Sequence, residues 1–314
     1  MSIWTTAARI SAGVHTVEIR AKDYDRQALY GNDGYKGGKY GLKKGVEYTG
    51  SEYRFIINPN KSEENTSDRD VTMYKKALVS SVSETEKTLN RDKWELQLKD
   101  YRYTRVDVCF NIDADYETTA KLVRLLVLTI AKIKSLDNGY LSVDPIDGRK
   151  RTLKVSSAET NNPYHLEIEH YDRSQKEQTD YEEQIKNRLE IRPCGRLLGE
   201  GDRADAIKTA CNFVIDILNN LKADDIRNAM AEINEGILKQ WKAVKAAGGK
   251  YGKFETLIGD RLYTETQMRA LRKAAGANLS NFSRDKAKFE LYAEQDVLDV
   301  CRSLTEALKT YLQN

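Results

Sequence analysis

Cysteine, histidine and proline are scarce in this 314-residue chain, which has 4 Cys, 3 His and 4 Pro. Cys109, Cys194, Cys211 and Cys301 show no Cys-x-x-Cys spacing. With only His15, His165 and His170 beside them, the pattern argues against a structural zinc site and for free thiols in a reducing compartment. Long apolar runs are missing too: none reaches membrane-spanning length, and the N-terminal "MSIWTTAARI" lacks the apolar stretch of a signal peptide. The expected location is the cytoplasm, with no membrane partner. Net charge is also low, since 51 Lys and Arg face 48 Asp and Glu for a balance of +3. That does not demand a nucleic-acid partner. It allows one where the bases cluster. The chain shows no internal repeat and no extended low-complexity segment.

What the chain does have is enough apolar material for a core, at 40% hydrophobic residues, together with 32% charged residues. "VHTVEIRA" and "EYRFIINPN" alternate like strands, with the basic, glycine-rich "KGGKYGLKKG" between them. Residues 67 to 92 are polar and read as helical. "RYTRVDVCFNID" is a strand by its alternating β-branched and aromatic residues. The next segment repeats Leu122, Leu125, Leu126, Ile130 and Ile133 at helical spacing behind Asp115, a suitable N-cap. "GYLSV" and "RTLKVSS" read as a hairpin around Asp147-Gly148. "HLEIEHY" reads as a strand running into a polar helix, and "NRLEIRP" as a short strand. After Gly201 strand signals fade, and helices are expected at 204–221, 224–247, 264–275 and 295–312. "AAGGKYGKF" is a break between two of them. A boundary near residue 200 divides the chain into 1–200 and 201–314.

Alternation assigns faces to the strands. Thr104, Val106, Val108, Phe110 and Ile112 point one way, and Arg105, Asp107, Cys109, Asn111 and Asp113 the other. Leu166 and Ile168 oppose Glu167, Glu169 and Tyr171. Leu189 and Ile191 oppose Arg188, Glu190 and Arg192. If the strands share a sheet, its back packs on helices and its front gathers Asp107, Asp113, Glu167, Glu169, Glu190 and Tyr171. Two readings follow. Such a face is the ordinary solvated side of a half-exposed antiparallel sheet. The same acids would also suit Mg²⁺ or Mn²⁺ as oxygen ligands, the less common case for such a pattern. In the second reading a phosphodiester polarised by the cation could be attacked by the Tyr171 hydroxyl, with Arg173 and Lys176 beside the developing charge. His15 falls on the apolar side of the first strand, as a core histidine. His165 shares the side of Glu167 and Tyr171 and is a minor metal candidate.

Three segments, in order, carry a resemblance. "YRFIINPNK" is similar to an arginine-containing strand that ends in an Asn-Pro-Asn-Lys turn. "YTRVDVCFNID" is similar to a Thr-Arg-Leu-Asp-Leu-Ala-Phe-Asp strand. "LEIEHYDRSQKE" followed by "RLEI" is similar to a nucleophile segment, Ile-Tyr-Asn-Lys, with an Arg-Val-Glu-Ile strand downstream. Over roughly residues 53 to 192 the chain resembles the rolling-circle replication initiators of small Gram-positive plasmids and related relaxases of conjugative elements, the Rep_trans group. The resemblance implies an α+β fold with a central antiparallel sheet, helices packed on one face (HUH-nuclease-like), and a C-terminal helical region. It implies a metal-dependent nickase and strand transferase. Tyr171 would be the nucleophile, assisted by Arg173 and Lys176, and Asp107, Glu190 and Glu169 would be the ligands of Mg²⁺ or Mn²⁺. The partner implied is origin DNA, single-stranded at the nick, with a helicase and a homodimer as further family partners. Two departures stand out: Asp172-Arg173 replaces the usual Asn-Lys, and no His-hydrophobe-His pair is present. A relaxase, or a non-catalytic DNA-binding regulator on the same scaffold, remains the alternative.

Residues suited to hold DNA are Lys36, Lys39, Lys43 and Lys44 among glycines and tyrosines, then Lys61, Arg105, Arg149 and Arg151. The first group reads equally as a solvated loop, and the arginines at the hairpin as solubilising charge. Residues 263 to 291 suit a helix-turn-helix reader or an ordinary helical hairpin.

Overall fold

The structure is a computed structural model that describes residues 9–25, 46–60, 78–91, 98–113, 116–143, 150–157, 163–172, 187–199, 205–248, 265–276 and 294–314. Among them, eight strands form one sheet: β1 (Arg9–Tyr24), β2 (Glu47–Tyr48), β3 (Tyr53–Ile57), β4 (Leu98–Asp113), β5 (Asn138–Val143), β6 (Lys150–Ser156), β7 (Leu166–Asp172) and β8 (Asn187–Pro193). Their spatial order is β2-β3-β1-β4-β8-β7-β6-β5, and every pairing is antiparallel. The helices are α1 (Val82–Arg91), α2 (Tyr116–Ile133), α3 (Ala206–Asn220), α4 (Ala223–Ala246), α5 (Glu265–Ala274) and α6 (Glu294–Gln313). This is the α+β architecture expected from the sequence, and the last four helices lie where helical spacing put them. The β5–β6 hairpin pairs as expected. Its Asp147-Gly148 turn, Asp115, residues 67–77 and the helix expected after Tyr171 lie outside the described residues.

The back of the sheet follows from alternation. Val14, Val17, Ile19, Phe55, Val106, Val108, Phe110, Ile112, Ile168, Leu189 and Ile191 are fully or almost fully buried. Helix α2 lays Leu122, Leu125, Leu126 and Ile130 into the same core and packs on β6, β7 and β8. Burying a side chain of this size contributes about 1.5–3 kcal/mol. Ile133 continues the spacing but is 47% exposed, because the helix stops there. Ser135 takes a left-handed turn (φ 51°), and the Leu136 N–H reaches the Ala131 carbonyl at 2.7 Å. That is the bond pattern that closes a helix and reverses the chain. Helix α3 packs on β4 and β8. Helix α6 packs on β1, α2 and α3, so the C-terminal helices share the sheet's apolar core.

One polar chain crosses that core. The Asn187 amide donates to Thr119 Oγ1 of α2 at 2.5 Å, which leaves its oxygen to accept from His170 Nε2 at 3.1 Å. At the far end of β8, Gly195 (φ 58°) sits where a Cβ would come within 2.5 Å of the Pro163 carbonyl. That close approach lets the Arg196 N–H bond Pro163 O at 2.7 Å and ties the end of β8 to the start of β7.

Candidate active site

The site begins with a fault in the β1–β4 ladder. Val14 faces Val108, yet the next pair is Thr16 with Asp107, so His15 is an extra residue on β1. Such a bulge resets the alternation of side chains. It turns His15 toward the side of Thr16, whose hydroxyl lies 3.3 Å from His15 Nδ1. The Asn-Pro-Asn turn after β3 braces the bulge. Asn60 Nδ2 donates to Val14 O at 2.9 Å, and Asn60 Oδ1 accepts the Val79 N–H at 2.8 Å. A second bulge follows, with Glu18 opposite Arg105 and then Ile19 opposite Tyr103, which leaves Thr104 extra on β4. The Thr104 hydroxyl donates to Glu18 Oε1 at 3.0 Å. Strict alternation puts His15 and Thr104 on the apolar side. The two bulges move both to the charged side.

Beyond the bulge, β4, β8 and β7 bring the front face together. Glu190 is the hub. Its Oε1 accepts the Tyr171 hydroxyl at 2.7 Å and lies 3.1 Å from His15 Nδ1. Its Oε2 accepts from Arg192, with Nε at 3.0 Å. Arg192 also donates to Glu167 and to Glu169 Oε2, the latter at 2.6 Å, while its Nε stands 3.7 Å from Asp107 Oδ2. Arg105 Nε pairs with Asp107 Oδ1 at 2.8 Å. Arg188 Nε donates to Asn111 Oδ1 at 2.8 Å, and its Nη1 approaches the Tyr171 hydroxyl at 3.5 Å. Lys154 Nζ pairs with Glu167 at 2.6 Å.

This face is not the half-exposed surface that alternation suggests. Asp107, Glu169, Tyr171, Arg188 and Glu190 are each 3% exposed or less. Buried charge persists only when paired, and here acids and bases interleave. Burial would raise the Glu190 carboxyl, but His15, Arg192 and Arg188 overcome it and hold it well below the usual range. Burial and then the Glu190 charge push the Tyr171 phenol well above its ordinary value. Burial works against the Arg192 charge, and Glu190, Asp107 and Glu169 more than offset it.

Among the described residues, one group can hold a metal ion. The donor atoms of His15, Asp107 and Glu190, from β1, β4 and β8, all lie within 4.8 Å of one another. Two carboxylates and one imidazole fit an oxygen-seeking divalent cation, and the nitrogen donor favours Mn²⁺ over Mg²⁺.

Among solved structures, the chain is similar to a rolling circle replication initiator protein from Geobacillus stearothermophilus, at 14% identity and a TM-score of 0.36. The match covers 68% of this chain and 85% of that one. No protein-family model matches the chain, and no curated protein matches it.

Of the residues chosen from sequence, the structure brings Tyr171, Asp107, Glu190 and Glu169 together. Glu169 serves Arg192 and stands outside the His15–Asp107–Glu190 group. His165 is buried and also stands outside it. Asp113 is exposed at the strand end. Arg105, chosen as a DNA contact, is committed to Asp107 and lies 3.9 Å from Glu18. Arg173, Lys176, Lys36, Lys39, Lys43, Lys44, Lys61 and Arg149 lie outside the described residues, and Arg151 is described only as a backbone position in β6. Sequence reasoning missed His15, for which the chain carries no bulge signal. It also missed Arg188 and Arg192, which the same alternation places beside Glu190. Among the described residues no helix is long and apolar enough to cross a membrane.

Proposed function

We propose that this protein is a replication initiator that nicks one DNA strand through Tyr171 and later rejoins strands. The observation that carries the reading is the 2.7 Å bond from the Tyr171 hydroxyl to Glu190, whose carboxylate also belongs to the His15–Asp107–Glu190 donor group. A phenol, a carboxylate to take its proton and a set of cation ligands therefore meet on one face of the sheet. In the reaction, the Tyr171 oxygen bonds to phosphorus and the bond from phosphorus to the 3′-oxygen breaks. The products are a 5′-phosphotyrosine and a free 3′-hydroxyl. Glu190 relays the phenolic proton toward the departing 3′-oxygen, which becomes the hydroxyl, and Arg188, 3.5 Å from the Tyr171 hydroxyl, steadies the developing phenolate. His15, Asp107 and Glu190 would hold a divalent cation, which would supply positive charge for the phosphodiester oxygens. DNA must uncover the site as it enters, because Tyr171 is only 3% exposed.

The test uses a random single-stranded oligonucleotide pool labelled at its 3′ end, incubated with the protein and Mn²⁺ and run on a denaturing gel. Label should move onto wild-type protein and not onto Tyr171→Phe. Equal transfer by both removes Tyr171 from the chemistry. A second reading, a non-catalytic DNA-binding regulator, is favoured by the burial of the phenol and by the Arg192 ion pairs. It expects retarded DNA on a native gel and no label transfer by wild type.

A further inference from the structure

Arg192 reaches both acids of the candidate cation group with one side chain. Its Nε is 3.0 Å from Glu190 Oε2 and 3.7 Å from Asp107 Oδ2, and its Nη2 contacts the same Glu190 oxygen. The rest of the guanidinium is held by Glu167 and Glu169, which are not part of that group. We propose that Arg192 is the resident counter-cation of this site: it competes with the divalent ion for Asp107 and Glu190, and so sets the affinity at which the ion binds. The inference rests on reading His15, Asp107 and Glu190 as cation ligands.

The oxygens of Glu190 are heavily subscribed. Oε1 serves Tyr171 and His15, and Oε2 serves Arg192. A divalent ion bonds carboxylate oxygen at about 2.1 Å, so at Glu190 it must share a carboxylate whose other oxygen Arg192 holds, or take that oxygen itself. Two cations on one carboxylate repel, and the stronger claim prevails. Arg192 can yield without being stranded. Glu167 and Glu169 pair with its Nη atoms, so a small shift of the fork gives up Asp107 and Glu190 and keeps two partners. A planar, many-donor guanidinium can bridge four carboxylates in this way, and a lysine ammonium cannot. The register explains why a permanent cation is needed here: Glu169 lies directly opposite Glu190 across β7 and β8, a like-charge pair that destabilises a sheet unless it is neutralised.

The experiment measures Mn²⁺ binding to the full chain by the electron paramagnetic resonance signal of the free ion. Arg192→Gln should bind Mn²⁺ about tenfold more tightly or better, the scale on which one nearby opposite charge changes a carboxylate's affinity for a proton. Lys154→Gln is the control. It removes a neighbouring positive charge that touches Glu167, and it should change affinity by less than about threefold if contact with the ligand oxygens is what matters. His15→Ala should bind weakly. If Arg192→Gln fails to fold without metal, Arg192→Lys decides instead, with an affinity between wild type and the level sought for Gln. Wild-type affinity or weaker in the Arg192 variants, with His15→Ala still impaired, overturns the competition and leaves the cation site standing. An equal gain in Lys154→Gln also overturns it, in favour of a general field. No Mn²⁺ binding by any form, wild type included, ends both this inference and the cation site it rests on.

Discussion

At β8 the two faces of this sheet are buried almost equally and by opposite means. Behind β8, Leu189 and Ile191 have no exposed surface, and in front, Arg188 and Glu190 have 2% or less. The back is held by apolar contact with α2, α3 and α6. It tolerates change in proportion to the volume removed. The front is held by interleaved charges, where removing one group leaves its partners buried and unpaired. The lesson is that a charged face is not evidence of a wet one. Here the charges are part of the interior, and the chemistry assigned to Tyr171 sits inside a structural network.

Two adjacent residues of β8 give the largest test of that contrast. Glu190→Ala leaves His15, Arg188 and Arg192 around a missing carboxylate, and the expected loss is about 3–5 kcal/mol. Leu189→Ala, one residue away on the other face, should cost about 2–5 kcal/mol through its cavity. Denaturant unfolding measures both. The signature is in the response to salt. The Glu190 variant should gain stability from added salt relative to wild type, because the unpaired bases left behind are partly screened, while the Leu189 variant should not. A Glu190→Ala protein as stable as wild type would mean that the front-face ion pairs hold nothing.

Most of the back face was legible in the sequence. "RVDVCFNID" and "RLEIR" state which residues go in, because β4 beyond Thr104 and β8 keep a period of two through those stretches. The acids of the front face were legible for the same reason. What was not legible was the phase of β1 around His15 and of β4 around Thr104. A bulge costs one residue of register and carries no fixed composition, so alternation counted across it assigns the wrong side. The bracing of the His15 bulge by Asn60 spans 46 residues of sequence and becomes visible only once β3 is paired with β1. Arg192 is a different kind of omission. Its position was readable, and tallying bases as well as acids on that face would have shown the carboxylates already neutralised.

A pH titration sharpens the comparison in an unexpected direction, because a group that responds near neutral pH lies on the apolar side. Burial, then the Arg124 charge, push His170 down to about 3 from its ordinary 6.5, while its bond to Asn187 pulls the other way. Above pH 6.5 both folded and unfolded chains leave it neutral. Below that, the unfolded chain takes up a proton that the folded chain refuses, so stability falls by about 1.4 kcal/mol per pH unit until pH nears 3. Glu190, held below the usual carboxylate range, contributes stability above about pH 4.5 and loses it only at lower pH. Unfolding of wild type against His170→Gln should therefore show a difference that is flat above pH 7 and shrinks between pH 6.5 and 4.5, by about 2–3 kcal/mol. A difference that stays constant across that window would mean that His170 is protonated in the fold and that the Thr119–Asn187–His170 chain is wired otherwise.

The smallest effect expected is at the residue on which the proposed function depends. Tyr171→Phe keeps the ring and removes one donor to a buried carboxylate, a bond of the kind worth about 1.5–3 kcal/mol. His15 remains 3.1 Å from the same oxygen, so part of the lost interaction is replaced, and the net cost should be about 1 kcal/mol. Because burial and the Glu190 charge raise the phenol's pKa, the contribution of this bond is present at neutral pH and is lost only as pH rises through the folded value, well above 10. Stability and chemistry thus separate at this position. The variant should melt within a few degrees of wild type and still fail in label transfer, whereas Glu190→Ala should fail in both. A Tyr171→Phe protein more stable than wild type would overturn the claim that hydrogen bonds hold the front face. The hydroxyl would then be a burden on the fold, as the proposed chemistry at Tyr171 would allow.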